Sequence, residues 1–276
     1  MRTGWYADEK GGAVLLAIDI GNTNVVLGVY DGEELLANWR VATDANRMPD
    51  EHAIILQSLL AYRGLSFADI GAVVLASVVP PLVTTYSEMF ERYLNLEPLV
   101  VSPGIKTGVR VLYENPKEVG ADRIANALAA HRLYGGPAVI IDFGTATTFD
   151  AINPKGDYLG GAIAPGINIS AEALYTHAAK LPRIELVTPK VAIGRNTVSS
   201  MQSGLIFGYV GLVEGLIMRF KRELEGAKVI ATGGLAPIIA RETTHIEIVN
   251  SQLTLEGLRM LYDLNRDAGK GVESAS

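Results

Sequence analysis

Cysteine is absent from all 276 residues, which excludes disulfides, thiolate nucleophiles and cysteine-held zinc. Histidine is scarce, and His52, His131, His177 and His245 are scattered without the close spacing of a metal-ligand set. An excess of positive charge is missing too. The formal net charge of −6 argues against sequence-independent nucleic-acid binding, which needs a basic face, so no nucleic-acid partner is expected. Long uncharged apolar runs are also lacking. The longest apolar stretch, Gly204 to Met218, contains Glu214 and falls short of the roughly 18–20 residues of a membrane span, so no membrane partner is expected. Residues 1–13 lack the apolar centre of a signal peptide. They read as a disordered extension, either a tag or the product of a misplaced start ahead of Val14, and the expected location is the cytoplasm. Walker A, the dinucleotide fingerprint and the Gly-x-Ser-x-Gly elbow of hydrolases are all missing. Phosphate binding, if present, must come from other parts.

What the chain does have is a large apolar fraction, 49% against 20% charged, enough for two modest domains or one large one. It also writes one phrase twice. Ile18-Asp19-Ile20-Gly21-Asn22-Thr23-Asn24 follows the apolar run from Val14, and Ile141-Asp142-Phe143-Gly144-Thr145-Ala146-Thr147 follows the run from Ala138. Each continues into a second β-like run, Val25 to Tyr30 and Thr148 to Ile152. Strand, tight polar turn and returning strand predict a hairpin with a carboxylate and several donors at its tip. Two such tips facing each other would hold a nucleotide phosphate and a metal. Each Asp-Gly pair taken alone is equally an ordinary turn.

Around these hairpins strands and helices alternate, which indicates an α/β fold. A strand is expected near Leu35 to Ala42, a helix over Asp50 to Tyr62, a strand over Gly71 to Val79 stopped by Pro80-Pro81, and a helix over Leu82 to Leu94. Gly135-Gly136-Pro137 is the clearest boundary signal, giving domains at 14–134 and 135–266, with a frayed tail over 267–276. In the second part, Gly156 to Gly166 reads as a loop, followed by helices near Asn168 to Leu181 and Ser199 to Leu224 and a strand over Ala227 to Ala231. The second of those helices carries Gly204, Gly208, Gly211 and Gly215, each costing about 1 kcal/mol relative to alanine. Close helix packing, inside the subunit or across a dimer axis, is the expected compensation.

Between the two hairpins, Gly120-Ala121-Asp122-Arg123 opens a helical pattern with apolar residues at Ile124, Leu128 and Tyr134. Asp122 sits near the helix N-terminus, where the dipole favours negative charge. Taken alone, it is an acidic first-turn residue that stabilises the helix. Arg123 is a fork for a carboxylate or phosphate, or an ordinary surface pair. Lys106, Arg110 and Lys117 make the preceding loop locally positive, as an anion site or a solvated face.

The Asp19 and Asp142 phrases, with a late Thr232-Gly233-Gly234, resemble the two phosphate motifs and the adenosine motif of the acetate kinase, sugar kinase, Hsp70 and actin superfamily. Gly120-Ala121-Asp122-Arg123, the IDFGTATTFD run and GGAIAPGI from Gly160 to Ile167 narrow the resemblance to type III pantothenate kinases, over nearly all of residues 14–264. The resemblance implies two duplicated actin/ribonuclease H-like domains, each a mixed sheet flanked by helices. It implies phosphorylation of the pantothenate hydroxyl by ATP to 4′-phosphopantothenate, the first step of coenzyme A synthesis. The ATP side would be Asp19, Ile20, Gly21, Asn22, Thr23, Asn24, Val25 and Val26 with Thr145, and Asp19 would meet the Mg²⁺ of Mg·ATP. Asp142 would meet a monovalent cation, K⁺ or NH₄⁺, and Asp122 would be the catalytic base. Pantothenate would lie along Gly120, Ala121, Asp122 and Arg123, with Tyr113 and with Thr197 from a neighbouring subunit. That last contact implies a homodimer with its active site near the interface. Gly233-Gly234 would approach the adenine, or merely turn the chain.

Two rivals stay open on sequence. One is a superfamily kinase or phosphohydrolase with another acceptor, such as a sugar. The other is a non-enzymatic regulator on the same fold, against which the joint presence of Asp19, Asp122, Arg123 and Asp142 counts.

Overall fold

The computed structural model describes residues 13–266. The expectations for residues 1–12 and for the tail beyond 266 lie outside the described residues. The contacts divide the chain into two compact units, between Ser102 and Pro103.

The first unit is built from β1 (Val14–Ile20), β2 (Asn24–Asp31), β3 (Glu34–Ala42), α1 (Pro49–Ala61), β4 (Ile70–Ser77), α2 (Pro80–Leu94) and the short β5 (Leu99–Val100). Its sheet runs β3-β2-β1-β4-β5. The β3/β2 and β2/β1 pairs are antiparallel, while β1/β4 and β4/β5 are parallel. One face of β1 is covered by α1 and α2 together: Leu16 and Ile18 share a core with Leu56, Leu60, Leu82 and Phe90. Glu51 opens α1 by accepting the Met48 amide at 2.9 Å. Pro80 and Pro81, read from sequence as a stop, end β4 and form the first turn of α2, where no amide partner is needed.

The second unit contains α3 (Ala121–Tyr134), β6 (Ala138–Phe143), β7 (Ala146–Ile152), β8 (Tyr158–Pro165), α4 (Ile167–His177), α5 (Thr197–Glu223), β9 (Lys228–Thr232), α6 (Ala236–Ala240), β10 (Ile248–Val249) and α7 (Leu253–Asn265). Its sheet, read as β8-β7-β6-β9-β10, repeats the first in order and in strand sense. The duplicated α/β mixed-sheet fold expected from the sequence is present in both halves. Val139, Ile141, Phe149, Val213, Ile217 and Val229 centre the second core.

Three sequence expectations change. First, α3 belongs with the second unit, although the sequence boundary was drawn at Gly135. It packs on α7, β6 and β7. Gly257 of α7 comes so close that a Cβ there would lie 2.1 Å from the Ala125 carbonyl oxygen, and the Thr254 hydroxyl donates to Asn126 Oδ1 at 2.9 Å. Gly135-Gly136-Pro137 turns α3 into β6, with a cis bond before Pro137. Second, the expected loop over Gly156 to Gly166 contains β8, paired antiparallel with β7. Third, α5 is by length and composition long and apolar enough to cross a membrane, which the Gly204 to Met218 stretch alone was not. Its buried side includes Tyr209, Val210, Val213 and Ile217, which belong to the second core.

Candidate active site

In the first unit Asp19 lies one residue before the end of β1, paired in register with Val26 of β2 and Ala76 of β4. The carboxylate side chain is half-buried, while Asn22, Thr23 and Asn24 are exposed at the tip. The turn closes through the Gly21 amide on the Asn24 carbonyl at 2.9 Å. The end of β3 pins it: the Thr43 hydroxyl donates to the Gly21 carbonyl at 2.7 Å, and the Thr43 amide to the Thr23 carbonyl at 3.0 Å. A fixed turn holding one carboxylate among exposed amide and hydroxyl groups suits a hydrated cation and phosphate oxygens.

The second tip closes the same way, the Gly144 amide donating to the Ala146 carbonyl at 3.1 Å. Asp142 pairs with Thr148 and Thr232. Gly233 adopts φ +89°, and a Cβ on it would fall 2.6 Å from Asp142 Oδ1. The turn after β9 is thus a glycine because it presses on the Asp142 carboxylate. The α4 end docks on this tip at Gly166, where a Cβ would lie 2.1 Å from the Thr145 carbonyl.

Asp122 stands in the first turn of α3, half-buried, its Oδ1 accepting the Arg123 amide at 2.9 Å. Gly120, the cap residue, leaves room for that carboxylate: a Cβ there would lie 2.4 Å from Oδ1. Arg123 turns inward and is only 8% exposed. Its Nε and Nη2 both reach Asp150 Oδ1, at 2.7 and 2.6 Å. The Tyr158 hydroxyl donates to the same oxygen at 2.8 Å, and the Thr148 hydroxyl to Oδ2 at 3.2 Å. The guanidinium lies 5.6 Å from the Tyr158 ring centroid, and the Tyr113 ring lies 6.3 Å beyond. Tyr113 is carried there because its segment runs beside β8, with the Leu112 amide on the Tyr158 carbonyl at 2.8 Å.

Arg123 is therefore no surface pair. Breaking a buried ion pair by removing one partner costs about 3–5 kcal/mol, far more than an exposed pair such as Arg92 with Asp50 contributes. Burial works against the Arg123 charge, but Asp150 outweighs it and holds the guanidinium above its ordinary pKa. Burial likewise pushes the Asp150 carboxyl above the usual carboxylate range, against the pull of Arg123, Tyr158 and Thr148. The Tyr158 hydroxyl is raised by burial and by Asp150, so it stays a neutral donor.

Within the second unit, then, Gly120, Ala121, Asp122 and Arg123 open α3, and Tyr113 lies against Tyr158, beside which the Arg123 guanidinium sits. Thr197 does not join them. It forms the first turn of α5 and lines a separate cavity of about 750 Å³ with Leu174, Leu181, Arg195, Asn196 and Gly204. Asp150 and Tyr158, which hold Arg123, were not singled out from the sequence. Asp150 lay inside the IDFGTATTFD run, the one charged residue of its strand, and that was the available signal.

The donor set around both hairpins is carboxylate, hydroxyl, amide and carbonyl, which fits Mg²⁺ or a monovalent cation and not a soft metal. Among the described residues no three His, Cys, Asp or Glu side chains converge as a metal cage. A divalent ion at Asp19 would thus complete its shell with phosphate oxygens and water.

Residues 15–219 match the model of the type III pantothenate kinase family. A curated type III pantothenate kinase from Moorella thermoacetica is 56% identical over 253 residues, covering 91% of this chain and 100% of that protein. Among solved structures, a Baf-family protein from Campylobacter jejuni superposes with a TM-score of 0.58 at 20% identity, covering 91% of this chain and 99% of that one. Component A of (R)-2-hydroxyglutaryl-CoA dehydratase from Acidaminococcus fermentans superposes with a TM-score of 0.54 at 14% identity, covering 94% and 100%. These two likenesses speak for the fold. The family match and the curated relative decide the rest: the chain belongs to the type III pantothenate kinase family, and it is a kinase.

Proposed function

We propose that this kinase transfers the γ-phosphoryl group of ATP to the primary hydroxyl of pantothenate, giving 4′-phosphopantothenate at the start of coenzyme A synthesis. The observation that carries the reading is the cluster in the second unit: a half-buried Asp122 carboxylate at a helix N-terminus, beside an Arg123 held by Asp150, with Tyr113 close by. The name of the Moorella relative supplies the acceptor.

The chemistry runs as follows. The pantothenate hydroxyl oxygen attacks the γ-phosphorus, its proton passes to an Asp122 oxygen, and the β–γ bridging oxygen leaves with ADP. Asp122 need not be a strong base, since phosphoryl transfer is largely dissociative and depends on positioning and charge neutralisation. Gly120 gives the carboxylate its place, and Arg123 and Tyr113 bind and orient the acceptor. The residues from Asp19 to Val26 would bind nucleotide phosphates, Thr145 would offer a hydroxyl to a phosphate oxygen, and Asp142 would hold a potassium or ammonium ion. Mg²⁺ bound with ATP neutralises phosphate charge.

A homodimer completes the acceptor site by bringing Thr197 of a second copy. Its support is α5, where Gly204, Gly208 and Gly211 are exposed and a Cβ on any of them would meet no neighbouring element within 4 Å among the described residues. Three helix glycines left uncovered in the subunit call for a partner. A stable, active monomer in analytical ultracentrifugation would overturn this part.

The deciding assay mixes purified protein with ATP, Mg²⁺ and potassium, and compares pantothenate with a panel of small sugars by ADP release. Pantothenate alone should support turnover. Release driven by a sugar would refute the acceptor.

A further inference from the structure

We propose that Asp150 is a positioning residue of the phosphoryl-transfer site, acting through Arg123 on the turn that carries Asp122. The inference rests on the reading of Asp122 as the group facing the acceptor.

The chain of contacts is short and continuous. Asp150 is wholly buried in β7, an inner strand of its sheet, where a lone carboxylate would be costly. It is held there by four donor contacts, and two of them come from one guanidinium. Arg123 is thereby fixed at its side-chain end by a strand and at its backbone end by α3. The Arg123 amide, in turn, donates to Asp122 Oδ1. Asp150 thus sets the guanidinium plane, the guanidinium sets the first turn, and the first turn sets the carboxylate. Tyr158 bonds Asp150 Oδ1 and lies beside the guanidinium, so it orients the pair without carrying charge. A buried pair made only for stability would not need to sit one residue from the group that takes the proton. Positioning errors well under 1 Å are enough to slow a transfer of this kind.

The test compares wild type, Asp150→Asn and Tyr158→Phe. Asp150→Asn strips the charge opposite Arg123 and is liable to unfold, whereas Tyr158→Phe keeps the ion pair and removes one hydroxyl. For each folded protein, kcat and both KM values come from ADP release, and hydrogen exchange is followed over peptides covering 120–125. We expect kcat to fall about tenfold or more in Asp150→Asn and about fivefold in Tyr158→Phe, with KM for ATP within about twofold of wild type. Exchange over 120–125 should quicken in the same order. Wild-type kcat and exchange in folded Tyr158→Phe, with only a lowered melting temperature, would reduce the network to a structural one and overturn the proposal. If wild-type protein shows no pantothenate-dependent ADP release, the acceptor reading falls instead. Exchange alone then decides: unchanged protection in the variants overturns the positioning role, and faster exchange sustains it.

Discussion

The two units repeat one sheet topology but differ at corresponding positions. Their strands can be aligned through the hairpin registers, Asp19 opposite Val26 and Asp142 opposite Thr148. Two steps back along each hairpin, Ala17 faces Gly28 in the first unit, while Ile140 faces Asp150 in the second. Further along, Tyr30 faces Leu35, and Ile152 faces Tyr158. Where the first unit spends these positions on a glycine and a leucine, the second spends them on a buried acid and a tyrosine that hold Arg123. The cause lies in α3, which packs on β6 and β7 and precedes them in the chain. The two hairpin tips are alike in strand order and register, and α3 packs beside the second.

The largest test of that inequality pairs Asp122→Ala with Asp19→Ala. On the proposed reading the first removes the proton acceptor, so kcat should drop roughly a thousandfold or more while ATP still binds. The second should leave the acceptor site intact and raise KM for ATP about tenfold or more, through loss of a charge-assisted contact. Steady-state kinetics with both substrates varied, and calorimetry with a non-hydrolysable ATP analogue, separate the two. Wild-type-like kcat in folded Asp122→Ala would break the comparison at its root.

A smaller effect should appear at the second tip. Asp142 lies against Gly233 with an all-oxygen donor set, so Asp142→Ala should lose much of the stimulation by potassium over sodium. Unchanged activity ratios across the two buffers would remove Asp142 from cation binding and leave it as a turn residue.

The hairpins were legible in the sequence because everything that makes them is local: an apolar approach, Asp-x-Gly, and a returning β-branched run. α1, α2 and α5 were legible for the same reason. β8 was not, since Gly160, Gly161 and Pro165 carry turn chemistry, and only pairing with β7 makes them a strand. The unit boundary failed at α3 because its membership is settled by Gly257 and Thr254 of α7, far along the chain. In the site, Asp122 and Arg123 could be picked out from their motif. Arg123's inward turn could not, because it depends on Asp150 and Tyr158 arriving from two later strands.

The finest comparison concerns acid sensitivity, and it isolates the first unit. His52 on α1 is buried against Tyr86 of α2, with ring centroids 4.5 Å apart. Burial lowers its pKa below the ordinary 6.5, aided by Arg47, so the folded state keeps it neutral while the unfolded chain protonates near 6.5. The unfolded state therefore binds more protons in the acid range, and stability must fall as pH drops from about 6.5 towards the depressed folded value. His52→Phe preserves an aromatic ring beside Tyr86 and removes the titration. Trp39 packs against the first core, so its fluorescence in a Trp5→Phe background reports this unit during urea unfolding. The midpoint should fall between pH 7.5 and 5.5 in the background protein, and by less once His52→Phe is added. An equal fall in both would assign the acid sensitivity of the first unit to its carboxylates, and not to the histidine buried between its helices.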